Sequence, residues 1–214
     1  MRRSFILLAA SLLATVAAPS AKAVTLDALI AGGNQIVVGN YVYSNFTYGG
    51  TTPASNVVVT VNQPGAVISF TNNTGAWTTP SGSSVISYDI TVTGTPIAGA
   101  HLDFTATATG GASAFVGETV TDVINHKDYS LQAYVDSTTS SLFQNVTLDP
   151  ASNHLHVVKS IDVASNGTGS ASITFVENAF PLVVGETPGV PEPASLSLLP
   201  LGLIGLALRR KLAR

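Results

Sequence analysis

Polar and apolar positions of this chain alternate over short runs rich in Val, Ile, Thr and aromatic residues, and clusters of Gly, Pro, Asn and Ser separate the runs. This pattern is typical of half-buried β-strands joined by turns. It predicts ten strands: Gln35–Val38, Tyr41–Tyr48, Asn56–Val61, Ala66–Asn72, Val85–Thr93, His101–Thr109, Tyr129–Asp136, Leu142–Leu148, His154–Val163 and Ser170–Val176. Strands at this spacing predict an all-β fold, a single β-sandwich of jelly-roll type with about ten strands.

The alternation also predicts which side chains face the core, because successive residues of a strand point to opposite faces. Phe104 is expected inside and Asp103 outside. In the last predicted strand Ala171, Ile173 and Phe175 are expected to share one face, opposite the intervening Ser and Thr residues.

Two local signals extend this picture. Thr25–Ile30 predicts a short capped helix that ends at the glycine pair 32–33. The Asn-Gly pair at 166–167 predicts a hairpin between the last two strands.

The first 23 residues have the layout of a secretory signal peptide. Two arginines at positions 2 and 3 precede an apolar stretch over residues 5–18. Ala21 and Ala23 flank Lys22 in the small-x-small pattern of a cleavage site. We therefore predict that residues 1–23 are removed and that the mature chain starts at Val24.

The C-terminal residues 191–214 fall into three parts: the tripeptide Pro191, Glu192, Pro193, the apolar stretch Ala194–Leu208, and the basic stop Arg209, Arg210, Lys211. The two prolines keep the tripeptide extended. As a helix the apolar stretch would span roughly 22 Å, which is shorter than the roughly 30 Å hydrocarbon core of a bilayer. It predicts a short transmembrane helix over residues 194–208 whose basic end stays cytoplasmic.

This order of tripeptide, apolar run and basic tail resembles the PEP-CTERM sorting signal of Gram-negative bacteria. The resemblance implies that exosortase, a membrane-embedded transpeptidase, recognises Pro191–Pro193 and cleaves near it. It also implies a link to extracellular polysaccharide and biofilm, and a route from the envelope membrane to the cell surface or the medium. The expected organisation is a signal peptide (1–23), a sandwich ectodomain (24–180), a linker (181–190) and the sorting signal (191–214).

Charge and cysteine content narrow the functional classes. Charged residues are 10% of the 214-residue chain, against roughly 25% in average soluble proteins. Between Val24 and Val190 two basic residues face eleven acidic ones, a net charge of −9. Nucleic acid is therefore not an expected partner. The absence of cysteine excludes disulfides and thiolate chemistry.

Two groups of residues are candidate metal sites. His154 and His156 share a strand face, with Asp162 farther along it. Asp122, Asp128 and Asp136 could offer oxygens to calcium. Neither group has the spacing of a known metal motif, so no metal and no cofactor is predicted.

Five aromatic residues could form a platform on which sugar rings stack: Tyr41, Tyr43, Phe46, Tyr48 and Trp77. Core packing is the favoured interpretation for aromatic residues at period two. The threonines at 105, 107 and 109 are interpreted as an ordinary wet strand face rather than an ice-binding array.

No catalytic residues are predicted. Serines, His101 or His126, and several aspartates could be combined into a triad, but the G-x-S-x-G elbow is missing. The sequence therefore favours a non-enzymatic, exported surface or matrix protein. The alternative is a secreted carbohydrate-binding module or hydrolase that uses the same sorting signal.

Overall fold

Strands dominate residues 22–62, 66–73, 77–79 and 81–183, which the computed structural model describes. In chain order they are β1 (Lys22–Thr25), β2 (Gln35–Val38), β3 (Tyr41–Gly50), β4 (Val57–Asn62), β5 (Val67–Asn72), β6 (Trp77–Thr78), β7 (Ser81–Val92), β8 (Ile97–Ala108), β9 (Ala112–Asp122), β10 (Lys127–Asp136), β11 (Ser140–Ser141), β12 (Phe143–Ser152), β13 (His154–Ser165) and β14 (Ala171–Ala179). The predicted short helix is α1 (Leu26–Ala31), ended by a bond from Gly32 N–H to the Ala28 carbonyl. One 3-10 turn covers Ala54–Asn56.

Two antiparallel sheets pack as a sandwich, which confirms the predicted fold class. Sheet I runs β1-β4-β5-β14-β8-β12, and the short β6 also pairs with β14. Sheet II runs β11-β10-β9-β13-β7-β3-β2. The alternating apolar residues of both sheets point inward and form one continuous core.

Buried tyrosines tie the two sheets together at one end. The hydroxyl of Tyr41, on β3 of sheet II, donates to the Phe180 carbonyl at 2.9 Å. The neighbouring Tyr43 donates to the Ala66 carbonyl at 3.1 Å. Each buried hydroxyl thus has a backbone acceptor, and the Ala66 carbonyl also accepts from Phe180 N–H at 3.3 Å.

The central strand β9 was missed by the strand prediction. It lies between β10 and β13 in the middle of sheet II. Gly117 and Glu118 interrupt its apolar alternation, and both residue types are depleted in strands. Tertiary packing on both sides therefore decides the conformation of this segment.

The predicted hairpin between the last two strands is wrong. β13 pairs with β7 and β9 in sheet II, whereas β14 pairs with β5, β6 and β8 in sheet I. The loop between them packs on the turn that follows β8, where Gly111 N–H donates to the Thr168 carbonyl at 2.7 Å. The Asn166 side chain occupies the space that a Cβ at Gly111 would need. The Asn-Gly turn therefore passes the chain from one sheet to the other.

A bulge in β14 also overturns the predicted facing of Phe175. Ile173 pairs with Ala106 and Phe175 with Thr105, so Thr174 is an extra residue. Beyond this point the inward positions shift by one, and Phe175 lies half-exposed on the outer face while Val176 is buried.

The described sandwich forms one compact unit that ends at Leu182. This unit continues past the expected end at Phe180, because Leu182 forms a bridge to Ile97 and the Pro181 carbonyl accepts from Ala98. Among the described residues no helix is long and apolar enough to cross a membrane. The predicted helix over 194–208 lies outside the described residues.

The bulge yields a matched pair of substitutions. Phe104→Ala should lower the free energy of unfolding by about 3–5 kcal/mol, because it empties a buried core position. Phe175→Ala should cost about 1 kcal/mol or less, as expected for a partly solvated side chain. Chemical denaturation of both variants measures the difference. Equal losses would place Phe175 in the core and contradict the bulge.

Candidate functional sites

Most of the predicted sorting residues cannot be placed. Pro191–Pro193, Arg209–Lys211 and Ala21 lie outside the described residues. Ala23 lies in β1, where it pairs with Thr60 of β4. The backbone just before the expected cleavage point is therefore part of an edge strand of sheet I.

The two histidines of β13 lie on the outer face of sheet II beside Asp89, which the sequence did not associate with them. His156 Nδ1 is 2.6 Å from Asp89 Oδ1, and His154 Nε2 is 3.9 Å from Asp89 Oδ2. Desolvation raises the pKa of Asp89, but hydrogen bonds from Asn45 and His156 outweigh it and lower the pKa overall. Asp162 instead accepts from Ser160 at 3.2 Å. Across the described ranges, no three His, Cys, Asp or Glu side chains are placed to hold a metal ion.

The three candidate calcium aspartates do not converge. Asp122 is buried and accepts from the backbone of Ile124 and Asn125. Asp128 accepts from Thr121 across the hairpin. Asp136 lies at the other end of β10, about 26 Å away along the strand. Each carboxylate serves a local turn or strand pair.

The aromatic residues weighed as a stacking platform are mostly core. Tyr43 and Trp77 are fully buried, and Phe46 and Tyr41 nearly so. Burial raises the pKa of Tyr41 to about 12, as expected for a phenol removed from water. Tyr48 is half-buried and its hydroxyl bonds to Ser84 at 2.8 Å. This confirms the core-packing interpretation for the group.

A second aromatic and acidic group, which the sequence did not reveal, lies on the outer face of sheet I. Phe143 of β12 is 60% exposed, and its ring lies 6.0 Å from that of His101. His101 Nδ1 contacts the side-chain oxygen of Asn145. Asp103 and Glu177 complete this group, which we call the outer patch.

Two like charges oppose each other in the outer patch. Asp103 and Glu177 are direct cross-strand partners on β8 and β14, and Phe143 is the other neighbour of Asp103. Desolvation raises the pKa of Glu177, the negative charge of Asp103 raises it further, and His101 partly offsets both. Like charges directly opposite in a sheet are destabilising, so this pair lowers the stability of the fold.

The outer face of sheet II offers a shallow groove of about 360 Å³. Its floor is Gly117, over which the Phe115 ring lies. The walls are mainly hydroxyl and amide side chains: Thr119, Ser130, Gln132 and Ser160, with Val158. This groove lacks a converging pair of carboxylates.

Inside the sandwich lies a third group, the buried polar cluster, formed by Lys159, Glu118, Asn178 and Tyr88. Lys159 Nζ donates to Glu118 Oε2, and Asn178 Nδ2 donates to Glu118 Oε1 at 2.8 Å. The Tyr88 hydroxyl donates to Asn178 Oδ1 at 3.0 Å. Asn178 Nδ2 also donates to the His101 carbonyl at 3.1 Å, which fixes the amide orientation.

Both sheets contribute to this cluster. Lys159 and Glu118 are cross-strand partners in sheet II, and Asn178 projects from sheet I. Desolvation lowers the pKa of Lys159, while the negative charge of Glu118 opposes that effect. Desolvation also raises the pKa of Tyr88 well above its ordinary value, with a further contribution from Glu118. The phenol therefore stays protonated and remains a donor.

Strand periodicity contained a signal for this cluster. Leu155, Val157, Ile161 and Val163 occupy alternate positions of β13, and Lys159 falls in the same series. A lysine on an apolar strand face needs a buried partner. The partner could not be read from the sequence, because β9 was not predicted.

Comparison with known proteins gives a match at the C-terminus. The family model for the PEP-CTERM protein-sorting motif matches residues 189–211. No curated protein matches the chain.

Several solved structures match the chain at low similarity. TmCBM61 in complex with β-1,4-galactotriose is 12% identical, with 64% of this chain and 89% of that chain covered and a TM-score of 0.32. The enzymatically active domain of tailspike protein 4 of bacteriophage CBA120 is 14% identical, with coverage of 67% and 19% and a TM-score of 0.28. A family two carbohydrate esterase from Cellvibrio japonicus is 17% identical, with coverage of 64% and 34% and a TM-score of 0.24. Likeness at this level says nothing about what this chain binds.

The like-charge pair predicts a pH-dependent gain in stability. Glu177→Gln should raise the free energy of unfolding at pH 7 by up to ~1 kcal/mol, because it removes the repulsion from Asp103. A raised pKa means that the charged carboxylate destabilises the fold at neutral pH. The cost disappears as the pH falls through the pKa of Glu177 toward about 4.3. The gain should therefore vanish near pH 4.

Urea denaturation at pH 7 and pH 4 measures this effect. Asp162→Asn is the matched control, since its cross-strand neighbours Ser83 and Phe115 are uncharged. A gain for Glu177→Gln that persists at pH 4 would contradict the electrostatic explanation.

Proposed function

We propose that this chain, which carries a PEP-CTERM protein-sorting motif at residues 189–211, is an exported surface protein that exosortase sorts and processes. The motif implies export and sorting in the cell envelope. The β-sandwich is then the part presented outside the cell, in a structural or matrix-associated role. The sorting motif is the single observation that carries this proposal.

The three parts of the C-terminal sequence are suited to three different roles in sorting. On sequence grounds we expect the two prolines of Pro191–Pro193 to favour an extended backbone, which an enzyme can bind. A short apolar span, which Pro200 and two glycines weaken, retains the chain near the membrane only until processing. The charges of Arg209–Lys211 each cost about 2.5–3.5 kcal/mol at the bilayer centre and so prevent slippage.

The places where several titratable residues are used support a non-enzymatic role for the sandwich. Asp122, Asp128 and Asp136 serve turns and strand pairs. His154 and His156 face one carboxylate, that of Asp89. These contacts stabilise turns and strand pairs of the described fold.

Substitution of the tripeptide tests the sorting proposal. Replacing Pro191, Glu192 and Pro193 with alanine should leave an uncut precursor in the membrane fraction of the native host. The sandwich should stay folded, because its described contacts end at Leu182. Immunoblotting of membrane and extracellular fractions measures the outcome.

The matched control replaces Glu186, Thr187 and Pro188 with alanine, which removes one glutamate and one proline just upstream of the motif. That variant should be processed like the parent. Normal processing of the Pro191–Pro193 variant would make the tripeptide incidental.

The outer patch favours a second candidate, polysaccharide binding by the sandwich. An exposed aromatic ring presents a flat apolar face to the C–H groups of a sugar ring, and adjacent planar polar groups can bond its hydroxyls. Phe143, Asn145 and the Asp103–Glu177 pair have this combination on one face. The carboxylates repel anionic chains, so the expected ligand is a neutral or amino-sugar polysaccharide.

Phe143→Ala should weaken binding to the host's extracellular polysaccharide about tenfold, as for loss of a central aromatic contact. Tyr134→Ala removes an exposed aromatic from sheet II and is the matched control. Affinity electrophoresis in gels containing the polysaccharide measures both. Equal retardation of parent and Phe143→Ala would exclude the outer patch and leave the sorting proposal intact.

A further inference from the structure

The buried polar cluster holds an amine and a primary amide on the two oxygens of one carboxylate. Lys159, Asn178 and Tyr88 are fully buried, and Glu118 is 4% exposed. One carboxylate bridges the other two groups, with Oε2 on the lysine nitrogen and Oε1 on the amide nitrogen. The arrangement thus provides a nucleophile, a proton carrier and an acyl group without solvent.

We propose that Lys159 and Asn178 react to form an intramolecular isopeptide bond, Nζ to Cγ, with Glu118 transferring the proton and ammonia as the leaving group. The bond would join β13 of sheet II to β14 of sheet I.

The nucleophile is the neutral amine of Lys159. Only the deprotonated form has a lone pair for attack. Removal from water lowers the pKa of Lys159, and the contact with Glu118 gives its proton a place to go. Cross-strand pairing of Lys159 with Glu118 and Ile86 fixes the amine in the core.

The electrophile is the side-chain carbonyl carbon of Asn178. The Tyr88 hydroxyl donates to its oxygen at 3.0 Å. That donor polarises the carbonyl and stabilises the negative charge that grows on the oxygen in the tetrahedral intermediate. Burial keeps the phenol protonated for this role.

Glu118 transfers protons from the lysine nitrogen to the departing amide nitrogen. The N–C bond forms as Glu118 accepts the lysine proton at Oε2. The same carboxylate, hydrogen-bonded to Asn178 Nδ2 through Oε1, then protonates the departing nitrogen. The old C–N bond breaks, and the second proton of the attacking nitrogen passes through the same carboxylate to the released ammonia. The nitrogen therefore leaves as an ammonium ion, and the carboxylate is regenerated. No oxidant, metal or cofactor enters the reaction.

The surroundings favour this reaction over hydrolysis of the amide. Asn178 lies between Leu102 and Ile68 in sheet I, and both are fully buried. Apolar walls exclude the water that would compete with the amine. The chain has no cysteine, so this bond would supply the covalent link between sheets that disulfides cannot.

Peptide mapping of the full chain, purified from its host and denatured, tests the proposal. A protease that cuts after acidic residues separates Lys159 from Asn178 at Asp162 and Glu177. The expected product is a branched peptide containing both residues, lighter than the sum of its two arms by one ammonia. Trypsin should also fail to cut the denatured chain after Lys159.

Two substitutions test the proposed role of Glu118 in the reaction. Glu118→Gln should lose the branched peptide completely, while Asp128→Asn, an exposed acid on the adjacent strand β10, should retain it. Circular dichroism reports whether each variant is folded, and the parent digest decides the proposal even if Glu118→Gln unfolds. Two separate, unmodified arms from the folded parent would overturn the proposal. A deficit of water instead of ammonia would also overturn it, because the acyl donor would then be a carboxylate.

Discussion

The buried contact between Lys159 and Glu118 constrains how the strands around it can pack. Removing two opposite charges from water costs several kcal/mol per ion, and only close pairing with further hydrogen bonds offsets that cost. Asn178 of sheet I donates such a bond to Glu118, and Tyr88 of sheet II in turn donates to Asn178. The network therefore fixes which strands of sheet II are neighbours and how sheet I sits over them.

Aromatic packing surrounds this polar centre. The Tyr88 ring contacts those of Phe46 and Phe70, with centroids 5.5 and 5.7 Å apart. These rings keep the dielectric low around the cluster, which strengthens its hydrogen bonds and makes an unpaired member costly. A polar network of this kind specifies one strand arrangement more sharply than apolar contacts alone.

The outer faces are free to differ from one another because the core carries the stability. Sheet II presents hydroxyl and amide side chains around Gly117. Sheet I presents Phe143 and the opposed pair of Asp103 and Glu177. A destabilising pair is tolerated on a surface where partial solvation screens it, and departures from local preference are expected where a surface has a function.

The sandwich class, ten of the strands, the short helix and the sorting motif could all be predicted from the sequence, because each depends on local periodicity or a contiguous pattern. The inward position of Lys159 was also visible as a lysine within the apolar series of β13. Three features depend on tertiary packing and could not be predicted. These are the central position of β9, the placement of β13 and β14 in different sheets, and the bulge at Thr174 that turns Phe175 outward. Tertiary packing also brought Glu118 to Lys159 and Asn178. These outcomes depend on pairings 41 and 60 residues apart in the chain, and no local propensity encodes the partner of a strand.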